Sequence, residues 1–111
     1  MSTDENMKHM EHLEAVLTRD QLLLEAGEKK YKASWKKRGG VDSFYMLARK
    51  WDRIEARVSQ DHFAGNSVQQ FNILEHCMAD KALDGILDDI GDLRRYLALV
   101  EAEVRSRGVQ F

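Results

Sequence analysis

Acidic residues at helical spacing are the feature of this sequence best suited to chemistry. Asp52 and Glu55 stand three residues apart, and Asp89 and Asp92 repeat that spacing. Residues at i and i+3 lie on one side of an α-helix. Four carboxylates on two facing helices repel one another unless they are neutralised. Oxygen ligands without a Cys or His set favour Mg²⁺ or Mn²⁺ over zinc. The two pairs therefore predict a site for hard divalent cations.

Such a site suits reactions at phosphate. Mg²⁺ keeps several waters and commonly links carboxylates to substrate phosphates. It draws charge off the phosphate and lowers the pKa of a bound water that attacks phosphorus. The competing interpretation is purely structural. A carboxylate beside a buried stripe needs a cation, and Arg53 or Arg57 is close enough in sequence to neutralise the first pair.

A basic strip, residues 29–40, is the second chemical feature. Six of its twelve residues are cationic, with Tyr31 and Trp35 among them, and it ends in Gly39-Gly40. One interpretation is a solvated basic loop. The other is a strip that holds phosphates while an aromatic ring packs on a base.

Composition predicts one all-α domain over residues 1–111. The chain has no proline, is 43% apolar and 32% charged, and is rich in strong helix formers. A chain of this length builds only a modest core, near the size at which dimers add burial.

The net charge and the cysteine content narrow the possible functions and structural motifs. A net charge of −2 argues against a general nucleic-acid binder. The single cysteine, Cys77, excludes an intramolecular disulfide and a CxxC zinc motif, and core filling is its expected role. The first residues are polar and acidic, unlike a signal peptide, and no apolar run is long enough to span a bilayer. We expect a cytoplasmic protein.

Periodicity and capping signals predict four helices. Their expected ranges are about 4 to the low thirties with a break at Gly27, 42–59, a short helix after an N-cap at Ser67, and 81–107 before Gly108.

Apolar stripes run along the second and last of these helices, and the acidic pairs lie at their margins. The stripe residues are Phe44, Leu47, Trp51, Ile54 and Val58, then Ile86, Ile90, Leu93, Leu97 and Val100. Gly91 costs about 1 kcal/mol inside a helix. Its presence predicts close approach of a neighbouring helix or ligand.

These motifs resemble a known family. The segment 88–93, Asp-Asp-Ile-Gly-Asp-Leu, is similar to the Glu-Glu-Leu-Gly-Asp-Val/Leu segment of the MazG-like all-α NTP pyrophosphatases. Their fingerprint is an ExxE on one helix and an ExxD on a later one, which 52–55 and 89–92 would supply. Residues 34–40 and 48–55 also look like small phage dATP/dGTP pyrophosphohydrolases. The resemblance covers roughly residues 29–104.

The resemblance implies a fold, an activity and a set of site residues. The fold would be a helical bundle of four to five helices, assembled as a homodimer or homotetramer. The activity would be metal-dependent conversion of a nucleoside triphosphate, with purine dNTPs favoured, to a monophosphate and pyrophosphate. The implied residues are Asp52, Glu55, Asp89 and Asp92 for Mg²⁺ or Mn²⁺, Glu55 for the attacking water, Lys36, Lys37, Arg38 and Lys50 for phosphates, and Trp35 for the base.

Two alternatives remain open at this point. A non-catalytic helical binding protein, such as a phage regulator, explains the amphipathic helices but not the carboxylates. Nucleic-acid binding through residues 29–38 would weaken steeply with salt and would ignore Mg²⁺.

Overall fold

The computed structural model describes residues 5–60, 70–79 and 85–111. All of the regular structure in these ranges is helical. The helices are α1 (Met10–Tyr31), α2 (Gly40–Gln60), α3 (Ile73–Ala79) and α4 (Ile86–Ser106), with short 3₁₀ helices at Glu5–Met7 and Ser34–Lys36. The predicted all-α class is confirmed for these ranges, which contain no strand.

The chain divides into two compact units, Met1–Lys37 and Arg38–Phe111. The first unit contains α1, which runs through Gly27 without the predicted interruption. A Cβ at Gly27 would meet no atom within 4 Å, so packing does not require glycine there. α1 ends where Lys32 and Ala33 adopt left-handed backbone, with φ of 49° and 61°. That conformation costs a non-glycine residue roughly 1 kcal/mol, and it ends α1 within the basic strip.

The second unit is organised around the contact between α2 and α4. Its buried core consists of Ile54, Val58 and Ile86, and Cys77, Ile90 and Leu93 pack against it. Ile54 and Val58 are four residues apart and so share one face of α2. The expected core position of Cys77 is confirmed.

The predicted stripe on α2 is only partly buried. Ile54 and Val58 are covered, but Phe44 and Trp51 are 63% and 52% exposed. At about 100° per residue, Phe44 and Trp51 lie roughly 60–80° around the helix from Ile54. The apolar surface of α2 is therefore wider than α4 covers. Leu97 shows the same on α4, where the distal part of the stripe is exposed.

Residues 70–72 tie α3 to the end of α2. The Phe71 N–H donates to the Val58 carbonyl at 3.3 Å, and the Gln70 side chain donates to the Ser59 carbonyl at 3.1 Å. Asn72 Oδ1 accepts the Glu75 N–H at 3.1 Å and caps α3. Ser67, the predicted cap, lies outside the described residues. The predicted continuation of this helix from Ser67 is wrong at residues 70–72, which form a turn with Phe71 at φ of 62°, so that α3 begins only at Ile73.

α4 ends as predicted, and no described helix is built to cross a bilayer. Its last residue is Ser106, and Gly108 follows with φ of 105°. Its predicted start at residue 81 lies outside the described residues. Within the described ranges, every helix is too short or too polar to span a membrane.

Candidate functional site

Five charged side chains meet where α2 packs on α4, and we call them the α2–α4 ion-pair cluster. Arg57 Nε donates to Asp89 Oδ2 at 2.8 Å. Lys50 Nζ donates to Asp92 Oδ2 at 3.1 Å, and Arg95 Nη2 donates to Asp92 Oδ1 at 2.9 Å. Three cations thus face two carboxylates, and the cluster carries one excess positive charge.

Helix geometry explains how the cluster forms. Lys50 and Arg57 are seven residues apart, about two turns, and therefore project from the same side of α2. Ile54 lies between them and is buried against α4, which brings that side to its partner. On α4, Asp89 lies one turn after the buried Ile86, and Asp92 follows Asp89 by one further turn.

Asp89 is the most deeply placed acid of the cluster. Its side chain is 8% exposed, whereas that of Arg57 is 43% exposed. Asp89 also lies in the first turn of α4, where the helix dipole favours a negative charge. A buried carboxylate depends on such partners because it has lost its hydration. Asp89 is thus a fixed anion, and Arg57 reaches it from the solvent side.

Asp92 is more open and is shared by two cations. Its side chain is 37% exposed, and its two oxygens accept from Lys50 and Arg95 respectively. Gly91 makes room for this arrangement, since a Cβ at that position would lie 2.8 Å from Arg95 Nη1. The predicted close approach of a neighbouring helix or ligand at Gly91 is wrong for the described residues, because the group beside Gly91 is the Arg95 side chain of the same helix.

Asp52 and Glu55 lie on the other side of α2. Both are exposed. Asp52 is two residues from Lys50, and Glu55 is two residues from Arg57, which places each acid about 160° around the helix from that cation. The described residues contain no group of three or more His, Cys, Asp or Glu side chains close enough to hold a metal ion. The structure brings Asp89 and Asp92 together but does not join the α2 acids to them.

The α4 pair has the ligand type that Mg²⁺ prefers, which is carboxylate oxygen. Mg²⁺ is commonly held by one or two carboxylates together with waters and substrate phosphates, rather than by a cage of protein ligands. Asp89 and Asp92 supply two such carboxylates. Their oxygens are engaged by cations, so a metal ion would have to replace at least one of these partners.

The remaining predicted residues fall in both units. Trp35, Lys36 and Lys37 belong to the first unit, and Arg38 and Lys50 belong to the second. Arg38 and Lys37 are exposed, whereas Trp35 and Lys36 are half-buried. The assignment of the basic strip to phosphates and of Trp35 to the base stays a prediction.

Arg57 and Arg95 are the residues that the sequence-based assignment did not include. Arg57 was considered as a partner of the α2 acids, but it pairs with Asp89 on α4 instead. The signal that points to it is the seven-residue repeat of Lys50 and Arg57 along one margin of the α2 stripe. When the apolar stripes of two helices pack together, basic residues at the margin of one helix attract acidic residues at the margin of the other.

Comparison with protein-family models, with curated proteins and with solved structures finds no significant match to this chain. The functional assignment therefore rests on the chemistry of the described residues and on the resemblance of the acidic motifs.

Proposed function

We propose that this protein is a metal-dependent nucleoside triphosphate pyrophosphohydrolase. It converts dNTPs, with dATP and dGTP preferred, to a nucleoside monophosphate and pyrophosphate. The observation that carries the proposal is the α2–α4 ion-pair cluster. It combines two carboxylates suited to a hard cation with three cations suited to phosphate oxygens.

Each group of the cluster has a role in this reaction. Asp89 and Asp92 would hold Mg²⁺ or Mn²⁺, which withdraws charge from the phosphate and lowers the pKa of a bound water. Lys50, Arg57 and Arg95 offer N–H donors whose charge suits a triphosphate. One water is consumed: its oxygen bonds to the α phosphorus and its proton passes to solvent. The bond between the α phosphorus and the α–β bridging oxygen breaks, and pyrophosphate leaves with that oxygen.

The α2 acids form a separate part of the proposal. The family resemblance assigns Asp52 and Glu55 to the metal and Glu55 to the attacking water. Among the described residues neither carboxylate is held in an ion pair. Because they point away from Asp89 and Asp92, their contribution has to be tested independently of the α4 pair.

We also propose a homo-oligomer, a dimer or a tetramer. The support is the outer face of α2, where large apolar side chains are exposed next to Asp52 and Glu55. These side chains are Val41, Phe44, Tyr45 and Trp51. Contiguous exposed apolar surface of this kind is typical of an interaction site.

One observation favours a second candidate, a non-catalytic helical binding protein. The ion pairs of Asp89 and Asp92 by themselves account for both carboxylates. In such a protein the cluster would only hold α2 on α4, and the apolar face of α2 would dock a partner.

Pyrophosphate release separates the two candidates. The full chain is incubated with each of the dNTPs and NTPs in Mg²⁺, in Mn²⁺ and in EDTA. The proposed enzyme releases pyrophosphate with either metal and stops in EDTA, with purine deoxynucleotides turned over fastest. A protein that releases none from any nucleotide is the binding protein.

A further inference from the structure

We propose that Arg57 and Lys50 exchange partners when the substrate binds. They leave Asp89 and Asp92 for the phosphates, and the two carboxylates take the metal ion. The inference rests on the proposed function and deepens it, since it gives Arg57 a phosphate-binding role and makes metal and nucleotide bind cooperatively.

A metal ion and the cations of the cluster compete for the same carboxylate oxygens. Oδ2 of Asp89 accepts from Arg57, and the two oxygens of Asp92 accept from Lys50 and Arg95. A divalent cation approaching alone would be repelled by these groups and would have to displace them. The α2–α4 ion-pair cluster therefore lowers the affinity for a metal ion when no nucleotide is bound.

The triphosphate removes that conflict. It brings negative charge for the displaced cations, while the metal neutralises the carboxylates that they leave. Arginine makes charge-assisted, frequently bidentate hydrogen bonds to phosphate as it does to carboxylate. The metal ion thus frees Arg57 and Lys50 for the phosphates, and the phosphates free Asp89 and Asp92 for the metal ion. By thermodynamic linkage, the binding of either ligand raises the affinity for the other.

The helix from which each cation reaches the acids indicates which side chains move. Arg57 and Lys50 reach the carboxylates from α2, whereas Arg95 folds over Gly91 of its own helix. Exposure separates Arg57, at 43%, from Arg95, at 19%, but Lys50, at 20%, is as covered as Arg95. Arg57 uses Nε for Asp89, while a guanidinium carries five N–H donors in all. Arg57 is therefore the principal exchanging residue, and Lys50 is its partner on the same side of α2.

The test is a calorimetric titration of the full chain with Mn²⁺ alone, and then with the non-hydrolysable α,β-methylene analogue of dATP in the presence of Mn²⁺. The variant is Arg57→Gln, and the matched control is Arg49→Gln, which removes the same charge from an exposed position of α2. Thermal melts verify that each variant is folded, and Lys50→Gln provides a second member of the exchanging pair.

The expected effects of Arg57→Gln have opposite signs. Mn²⁺ alone binds at least about fivefold tighter, because Arg57 no longer competes for the buried Asp89 carboxylate. The analogue binds at least about tenfold weaker, because a charged hydrogen bond to phosphate is lost. Lys50→Gln shifts both affinities in the same directions, and Arg49→Gln shifts neither.

Two results overturn the inference. In one, Arg57→Gln and Lys50→Gln bind Mn²⁺ no tighter than the wild type. In the other, metal and analogue affinities fall together, as they would if these side chains only maintain the fold. Failure of the proposed function looks different, because the wild type then does not bind the analogue even though Mn²⁺ binding still responds to Arg57→Gln.

Discussion

Arg57 on α2 and Asp89 on α4 form an ion pair of 2.8 Å in which the acid is buried and the base is half-exposed. The pair lies beside the Ile54–Ile86 core and joins the two helices of the second unit. This asymmetry in burial determines how each partner responds to substitution, and it makes Arg57 the more solvent-accessible partner.

We expect Arg57→Gln to destabilise the protein more than Asp89→Asn. Without Arg57, a buried carboxylate loses its charged partner, which costs about 2–3 kcal/mol. Without the Asp89 charge, a half-exposed guanidinium regains water, and the loss is about 1 kcal/mol. Urea denaturation at one protein concentration measures both. Equal losses, or a larger loss in Asp89→Asn, would contradict the burial asymmetry.

Ile86→Ala should be among the most damaging substitutions in the second unit. Ile86 is 1% exposed, and truncating a buried isoleucine costs about 2–5 kcal/mol. Leu87→Ala is the matched control, since Leu87 is 52% exposed in the same turn, and a change of less than about 0.5 kcal/mol is expected there. The comparison uses urea denaturation, and similar losses at the two positions would show that the core lies elsewhere.

Gly91→Ala should raise stability while disturbing Arg95. Alanine gains about 1 kcal/mol over glycine inside a helix. The new Cβ would lie 2.8 Å from Arg95 Nη1, and the end of a flexible side chain moves aside at little cost. The melting temperature is therefore expected to rise, with a crystal structure showing Arg95 displaced from Asp92. A lower melting temperature would mean that a rigid group, not Arg95, occupies the space beside Gly91.

The helices of the second unit were predictable because their signals are local. The bounds of α2 follow from the Gly-Gly break and the apolar period, and the end of α4 follows from Gly108. The partial burial of the α2 stripe was not predictable in the same way. Phe44 and Ile54 both fall inside the predicted stripe, about 80° apart around the helix, and the spacing alone does not say which of them the partner helix covers.

The candidate site was predicted in part for the same reason. Asp89 and Asp92 are neighbours on one helix, so their grouping follows from spacing alone. The pairing of Lys50 with Asp92, at 3.1 Å, depends on the rotation and translation of α2 against α4. A helical wheel of one helix gives neither the rotation nor the translation. The cations that pair with the α4 acids could therefore be identified only from the structure.

Assembly can be tested on the apolar face of α2. Phe44 and Trp51 are exposed in the single chain, and burying them in a homo-oligomer would gain roughly 2 kcal/mol for each side chain fully removed from water. We expect light scattering to report a dimer or a tetramer, and Phe44→Glu to dissociate it. A wild-type protein that stays monomeric at working concentration would contradict the oligomer.

The most direct test of the pyrophosphohydrolase proposal compares the double variant Asp89→Asn/Asp92→Asn with Asp88→Asn. Asp88 is an exposed aspartate of the same helix and lies outside the cluster, so it controls for the loss of charge. Pyrophosphate release from dATP and dGTP is measured in Mg²⁺ and in Mn²⁺, and circular dichroism verifies folding.

We expect metal-dependent release of pyrophosphate by the wild type and by Asp88→Asn. The double variant should lose at least about 100-fold, since a metal ion contributes several kcal/mol at the transition state. Full activity in the folded double variant would contradict the role of the α4 carboxylates, and a wild type inactive with both metals would contradict the function itself.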